Sequence, residues 1–89
     1  MNKNAEFIAW LKRAKALVEM GWTQGAYHRG RCYCAVGALN ASAPRNAPEW
    51  CFVGLGVHCG LIHWNDMKNR TQAEVIAMFD NSIKALEEV

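Results

Sequence analysis

A chain of 89 residues holds one domain and leaves little room for a second. Its 52% hydrophobic and 20% charged residues exclude an intrinsically disordered chain, and a formal charge of +2 is too small to predict nucleic-acid binding. No apolar run approaches the roughly 18 residues of a membrane span, and the opening segment with Lys12, Arg13 and Lys15 is not a signal peptide, so a cytoplasmic protein without a membrane role is expected.

The first predicted element is an amphipathic helix over 5–20. Phe7, Trp10, Leu11, Ala14, Leu17 and Val18 recur at three- and four-residue spacing, with Lys12, Arg13, Lys15 and Glu19 on the other face. Asn4 is its expected cap, and Gly21 stands where a left-handed C-terminal residue is wanted. Residues 21–31 read as a loop with three glycines, in which Trp22 and Tyr27 must fold onto the core or line something.

A short helix over 32–41 follows. It is built almost wholly of small residues, Cys34, Ala35, Gly37, Ala38 and Ala41 among them. Gly37 costs about 1 kcal/mol of helix propensity relative to Ala, which calls for a packing reason such as the close approach of another helix. A third helix is expected over 47–59, capped by Asn46, with Pro48 in its first turn and Glu49 completing a capping box. The sequences around Cys34 and Cys51 share a Cys-x-Val-Gly core, consistent with two small-faced helices meeting at Gly37 and Gly54. Leu61–Trp64 reads as an extended stretch or a helical turn, and 65–70 as a polar loop. Thr71-Gln-Ala-Glu74 is the clearest local signal, a capping box ahead of Val75, Ile76, Phe79, Ile83 and Leu86. It predicts a helix over 71–87. The expected fold is all-α: one domain over 1–89, with two long outer helices and two short inner ones.

Charge is unevenly distributed. Residues 1–45 hold seven basic and two acidic side chains, a balance of +5; residues 46–89 hold three basic and six acidic, a balance of −3. No Asp or Glu lies between Glu19 and Glu49, a window containing His28, Arg29, Arg31 and Arg45. Such a window attracts an anion or pairs with the acidic half of the chain. A domain this small buries only about 60% of its unfolded surface, so a homo-oligomer is expected.

Several short motifs follow one another in order: Gly21-Trp22-x-Gln24-Gly25-Ala26, Cys34-x-x-Gly37-Ala38-Leu39, Trp64-Asn65-Asp66, Arg70-Thr71-Gln72-x-Glu74-Val75 and Phe79-Asp80-x-x-Ile83. The series resembles a family of small bacterial and phage proteins to which no activity is assigned, over most of residues 7–86. Residues 42–60, with Cys51, His58 and Cys59, fall outside the pattern. The resemblance implies a setting inside a bacterial cell. By analogy of context the resemblance also implies an anti-defence role, as some small phage proteins block host defence by binding a defence protein and others resemble sponges that trap a nucleotide-derived signal.

The two segments without apolar periodicity hold the candidate site: Trp22, Gln24, Tyr27, Arg29 and Arg31 from the first, Trp64, Asn65, Asp66, Arg70 and Thr71 from the second. Aromatic rings stack on a base, worth about 1–3 kcal/mol each. Guanidinium groups fork onto phosphate oxygens. Amide and carboxylate groups read polar edges, and the helix start at Thr71 offers N–H groups to an anion. The alternative is that both tryptophans are lids on the core and that Asp66 pairs with an arginine.

Other chemistry has less behind it. Cys32, Cys34, Cys51, His58, Cys59 and His63 are soft ligands without the spacing of a zinc finger, so no metal or other cofactor is expected. Cys34 as a nucleophile would sit on a buried helix face, where thiols are inert. The expectation is a non-enzymatic protein that binds a small anionic nucleotide-like ligand; the alternative is an inhibitor that binds a host defence protein through a Trp/Arg surface.

Overall fold

A computed structural model of the chain describes residues 3–43 and 58–88. Its elements are α1 (Lys3–Met20), β1 (His28–Arg29), β2 (Cys32–Tyr33), α2 (Ala35–Ser42), α3 (His58–Asn65) and α4 (Gln72–Glu87). The expected helix over 47–59, the pairing at Gly54 and the role of Cys51 lie outside the described residues, and positions 58 and 59 open α3.

The long helices form as their periodicity dictates. Trp10, Leu11, Ala14 and Val18 of α1 are buried in one cluster with Val75, Phe79 and Ile83 of α4 and Ala35, Ala38 and Leu39 of α2. Each large apolar side chain removed from water here contributes about 1.5–3 kcal/mol. The opposite charges of the two halves meet along this packing: Lys15 bonds Asp80 at 2.7 Å, and Lys12 lies 3.9 Å from Glu87. Such exposed pairs align helices more than they stabilise them. The Gln72 side chain donates to the Val18 carbonyl at 2.8 Å, tying the start of α4 to the end of α1.

With eight residues, α2 is too short to persist alone. Neighbours hold both its ends. Trp10 Nε1 donates to the Leu39 carbonyl at 2.9 Å, and the Arg13 guanidinium donates twice to the Ser42 carbonyl, at 3.2 and 3.1 Å. At the other end Cys34 is the N-cap, its sulfur accepting from the Gly37 N–H at 3.3 Å.

The all-α expectation is corrected by residues 28–33. They form a two-stranded antiparallel hairpin pairing His28 with Tyr33 and Arg29 with Cys32. Gly30, at φ +62°, supplies the left-handed first residue of a two-residue turn, the pattern that matches strand twist. The predicted helix over 32–41 therefore begins only at Ala35. The His28 and Tyr33 rings stack across the strands, with centroids 4.4 Å apart. Gly21–Thr23 runs beside β2, with Tyr33 N–H donating to the Gly21 carbonyl and Thr23 N–H to the Tyr33 carbonyl. Gly21 is thus not a left-handed helix stop. Its missing Cβ leaves room for the Arg31 carbonyl and the Cys32 sulfur, each 3.0 Å from where that Cβ would stand.

Gly37 answers to the backbone of the hairpin approach, not to another helix. A Cβ there would stand 1.9 Å from the Tyr27 carbonyl oxygen, whose other neighbour is the Cys34 N–H at 3.1 Å. Gly60 lies inside α3, and among the described residues nothing stands within 4 Å of where its Cβ would be. No described helix is long and apolar enough to cross a membrane.

The two glycines give opposite expectations. Gly37→Ala should cost about 2–3 kcal/mol by overpacking, lowering the melting temperature by at least about 8 °C. Gly60→Ala should gain up to about 1 kcal/mol of helix propensity. Thermal melts of the two variants followed by circular dichroism check both signs.

Candidate functional site

The two aperiodic segments do meet, and the residue joining them is Asn65. It is the last residue of α3, not part of the polar loop, and it is 0% exposed. Its carboxamide makes four hydrogen bonds. Oδ1 accepts from Trp22 Nε1 at 2.8 Å and from the Ala35 N–H at 3.0 Å; Nδ2 donates to the Thr23 carbonyl at 3.1 Å and to Asp66 Oδ1 at 2.9 Å. An amide supplies two donor and two acceptor sites, so every one is spent within the protein. The Ala35 N–H is the first orphan donor of α2, and an asparagine 30 residues away satisfies it.

Gln24 reinforces the join. Its amide nitrogen donates to the carbonyls of Asn65 and Met67, at 2.9 and 3.0 Å. Gly25, at φ +78°, turns the chain so that its N–H reaches Asp66 Oδ1 at 3.1 Å. Trp22, Gln24, Asn65 and one oxygen of Asp66 thus form an internal latch between the 22–25 loop and the end of α3.

A second cluster surrounds Arg70. Its guanidinium carbon lies 4.1 Å over the Trp64 ring. Nε donates to the Trp64 carbonyl at 2.9 Å, one terminal nitrogen bonds Glu74 at 3.1 Å, and the other contacts the Met67 sulfur. The Arg70 side chain is only 15% exposed, and Glu74 already neutralises it. Thr71 caps α4 through its hydroxyl and is capped in turn: its N–H donates to Glu74 Oε1 at 2.9 Å, and Glu74 N–H donates to Thr71 Oγ1 at 3.2 Å. The carboxylate of Glu74 therefore occupies the position where an external anion would meet this helix. The Thr71 backbone N–H is the main reason the Glu74 carboxyl is held below its ordinary value of 4.5; the Thr71 hydroxyl and Arg70 add to the effect, against some desolvation.

Tyr27, Arg29 and Arg31 stand apart from both clusters. Tyr27 is 56% exposed, and Arg29 and Arg31 are exposed on the hairpin. Beside the latch lies a hollow of about 210 Å³ lined by Gly25, Ala26, Tyr27, Cys34, Ile62 and Asp66. A shallower groove of about 450 Å³ runs past Trp64, Arg70, Glu74, Ala77, Met78, Asn81 and Ser82. Of the ten candidate residues, then, Tyr27 and Asp66 line the hollow and Trp64 and Arg70 the groove, while Trp22, Gln24, Asn65 and Thr71 are bonded internally. Gly25, Ala26, Cys34 and Ile62 are wall residues that sequence reasoning missed; only the meeting of the 22–25 loop with the end of α3 marks them out. Among the described residues no cluster of three or more His, Cys, Asp or Glu is placed to hold a metal ion.

The model of one family, described as a family of unknown function, DUF6197, matches residues 3–85. No curated protein and no solved structure matches the chain.

Two expectations follow from the latch and the cap. Asn65→Ala leaves the Trp22 indole, the Ala35 N–H and the Thr23 carbonyl without partners, each costing about 1–3 kcal/mol, so urea unfolding should show a loss of at least about 3 kcal/mol. For Glu74, the depressed folded-state pKa means its contribution is complete above 4.5 and is lost as pH falls through the folded value. Melts of wild type and Glu74→Gln should differ most at pH 7 and converge toward pH 3.

Proposed function

We propose that this chain, which belongs to DUF6197, a family of unknown function, is a non-enzymatic protein that binds a small anionic nucleotide-type ligand. The observation that carries the reading is the hollow of about 210 Å³ with an aromatic wall at Tyr27, next along the chain to the exposed Arg29 and Arg31 of the hairpin. Its volume lies below the roughly 300–1,000 Å³ of pockets that enclose a whole ligand. It suits one flat ring system stacked on Tyr27, while the charged remainder of the ligand stays outside. Arg29 and Arg31 lie in the acid-free stretch of sequence, have no carboxylate partner among the described residues and fork well onto phosphate.

The other candidate residues act behind this surface. Trp22, Gln24 and Asn65 hold the loop that forms the hollow's rim; Thr71 and Arg70 hold α4 and the turn before it. Held and not turned over, the ligand would be removed by mass action, so potency would depend on affinity and copy number. In a phage setting that is a sponge for a host defence signal, acting in the bacterial cytoplasm. Self-association into a homo-oligomer belongs to the same reading; Met20, 75% exposed, offers apolar area for it.

One observation favours a second reading. Tyr27 is exposed beside two exposed arginines, and Tyr and Arg dominate protein-binding hot spots. An inhibitor that binds a host defence protein would use the same hairpin.

Thermal shift against a panel of nucleotide-derived second messengers and cyclic ADP-ribose isomers separates the two. A true ligand at about 100 times its Kd adds about 2.7 kcal/mol, a rise of more than about 10 °C for a domain of this size. Tyr27→Ala and the double variant Arg29→Ala/Arg31→Ala should each weaken the hit at least about tenfold without lowering the melting temperature of the free protein. Silence across the panel, with a host protein retained through the hairpin, would decide for the inhibitor.

A further inference from the structure

We infer that two copies of this chain pair through the outer face of α4, antiparallel and about a two-fold axis, beside the groove at Trp64. The inference rests on the self-association in the reading above and not on the ligand. It starts from the part of α4 that the fold leaves unused. Val75, Phe79 and Ile83 face the core, and Asp80 and Glu87 are drawn toward α1 by Lys15 and Lys12. The opposite face carries Glu74, Ala77, Asn81, Lys84, Ala85 and Glu88 at helical spacing, all exposed. Along one side of it Met78 and Ser82 are half-buried and, with Trp64 and Arg70, border the groove of about 450 Å³.

The charges of this face complement one another only between copies. Lys84 makes no ion pair among the described residues. Glu74 Oε1 accepts from the Thr71 N–H and hydroxyl, and Oε2 accepts from Arg70, which leaves open one of the carboxylate's roughly four acceptor sites. Glu74 and Lys84 are ten residues apart, about 15 Å along the helix, too far to meet within one chain.

A parallel pair of helices would set Glu74 against its own copy and Lys84 against its own, and both contacts repel. An antiparallel pair exchanges them. The register that puts Glu74 opposite Lys84 of the second copy also puts Ala77 opposite Asn81 and brings Glu88 level with Arg70, each twice by symmetry. No like charges oppose one another on the face in that register. The small Ala77 near the centre lets the helices approach closely. The two copies of Met78 meet beside the axis, each laying apolar surface along the other's groove. None of the residues lining the hollow lies on α4, so pairing leaves that site intact.

The test is sedimentation velocity of the whole chain from micromolar to millimolar concentration, for wild type, Lys84→Glu, Ala77→Arg and Met20→Ser. All three positions are exposed, and circular dichroism melts check that each variant folds. Wild type should show a reversible monomer–dimer equilibrium that weakens with added salt, because the ion pairs lie at the rim. Lys84→Glu turns two attractions into repulsions and should raise the dimer Kd at least about tenfold. Ala77→Arg, at the closest approach, should abolish the dimer, while Met20→Ser on α1 should leave its Kd unchanged. A dimer that survives both α4 variants would overturn the α4 face and leave self-association standing. A wild-type chain that stays monomeric throughout would overturn both, with the ligand reading still decided by the second-messenger panel.

Discussion

The fold turns on one buried carboxamide. Asn65 joins the 22–25 loop, the first turn of α2 and its own helix through four hydrogen bonds made with no exposure to water. A fully satisfied buried amide specifies geometry as well as stabilising it, since each alternative arrangement leaves a desolvated donor or acceptor. The loop cannot shift without breaking the bond to Trp22, and α2 cannot rotate without exposing the Ala35 N–H. What looks in the sequence like a set of ligand-reading side chains is, in large part, a set of mutually satisfied ones.

That use of polar groups defines what is left for a ligand. After the latch and the Arg70–Glu74 cluster are complete, the ten candidate residues keep for a ligand the second carboxylate oxygen of Asp66, the exposed ring of Tyr27 and the two arginines of the hairpin. The hollow lies where the loop turned by Gly25, with its positive φ, meets Cys34 and Ile62. Rigid scaffold and open site are thus built by adjacent residues of one segment.

The sequence made some of this legible and hid the rest for physical reasons. Periodicity found α1 and α4, and the Thr71–Glu74 box placed the start of α4 within a residue, because both signals are local. Their core stripes, Leu11-Ala14-Val18 and Val75-Phe79-Ile83, are the ones that spacing picks out. The hairpin is invisible to periodicity because strands of two residues carry no alternation to read, and Gly30 between two arginines marks no more than a loop. The smallness of α2 is legible in the sequence but its cause is not, since the close approach at Gly37 comes from the Tyr27 backbone, which precedes the turn at Gly30 by three residues. The absence of apolar periodicity sets the two segments apart from the core, but whether a tryptophan N–H meets a ligand or an asparagine depends on a contact 43 residues away in sequence.

The distance along the chain between the latch and its partners has a consequence for synthesis. A ribosome that has released residues 1–43 has released α1, the hairpin and α2, yet the carboxamide that completes the first turn of α2 and the indole bond of Trp22 is still to be made. The emerging half must wait, with the Ala35 N–H of its shorter helix unpaired and the α4 side of its core open to solvent. Docking of α3 and α4 then closes both gaps together, so the amino-terminal half gains its final order only after α4 has been made.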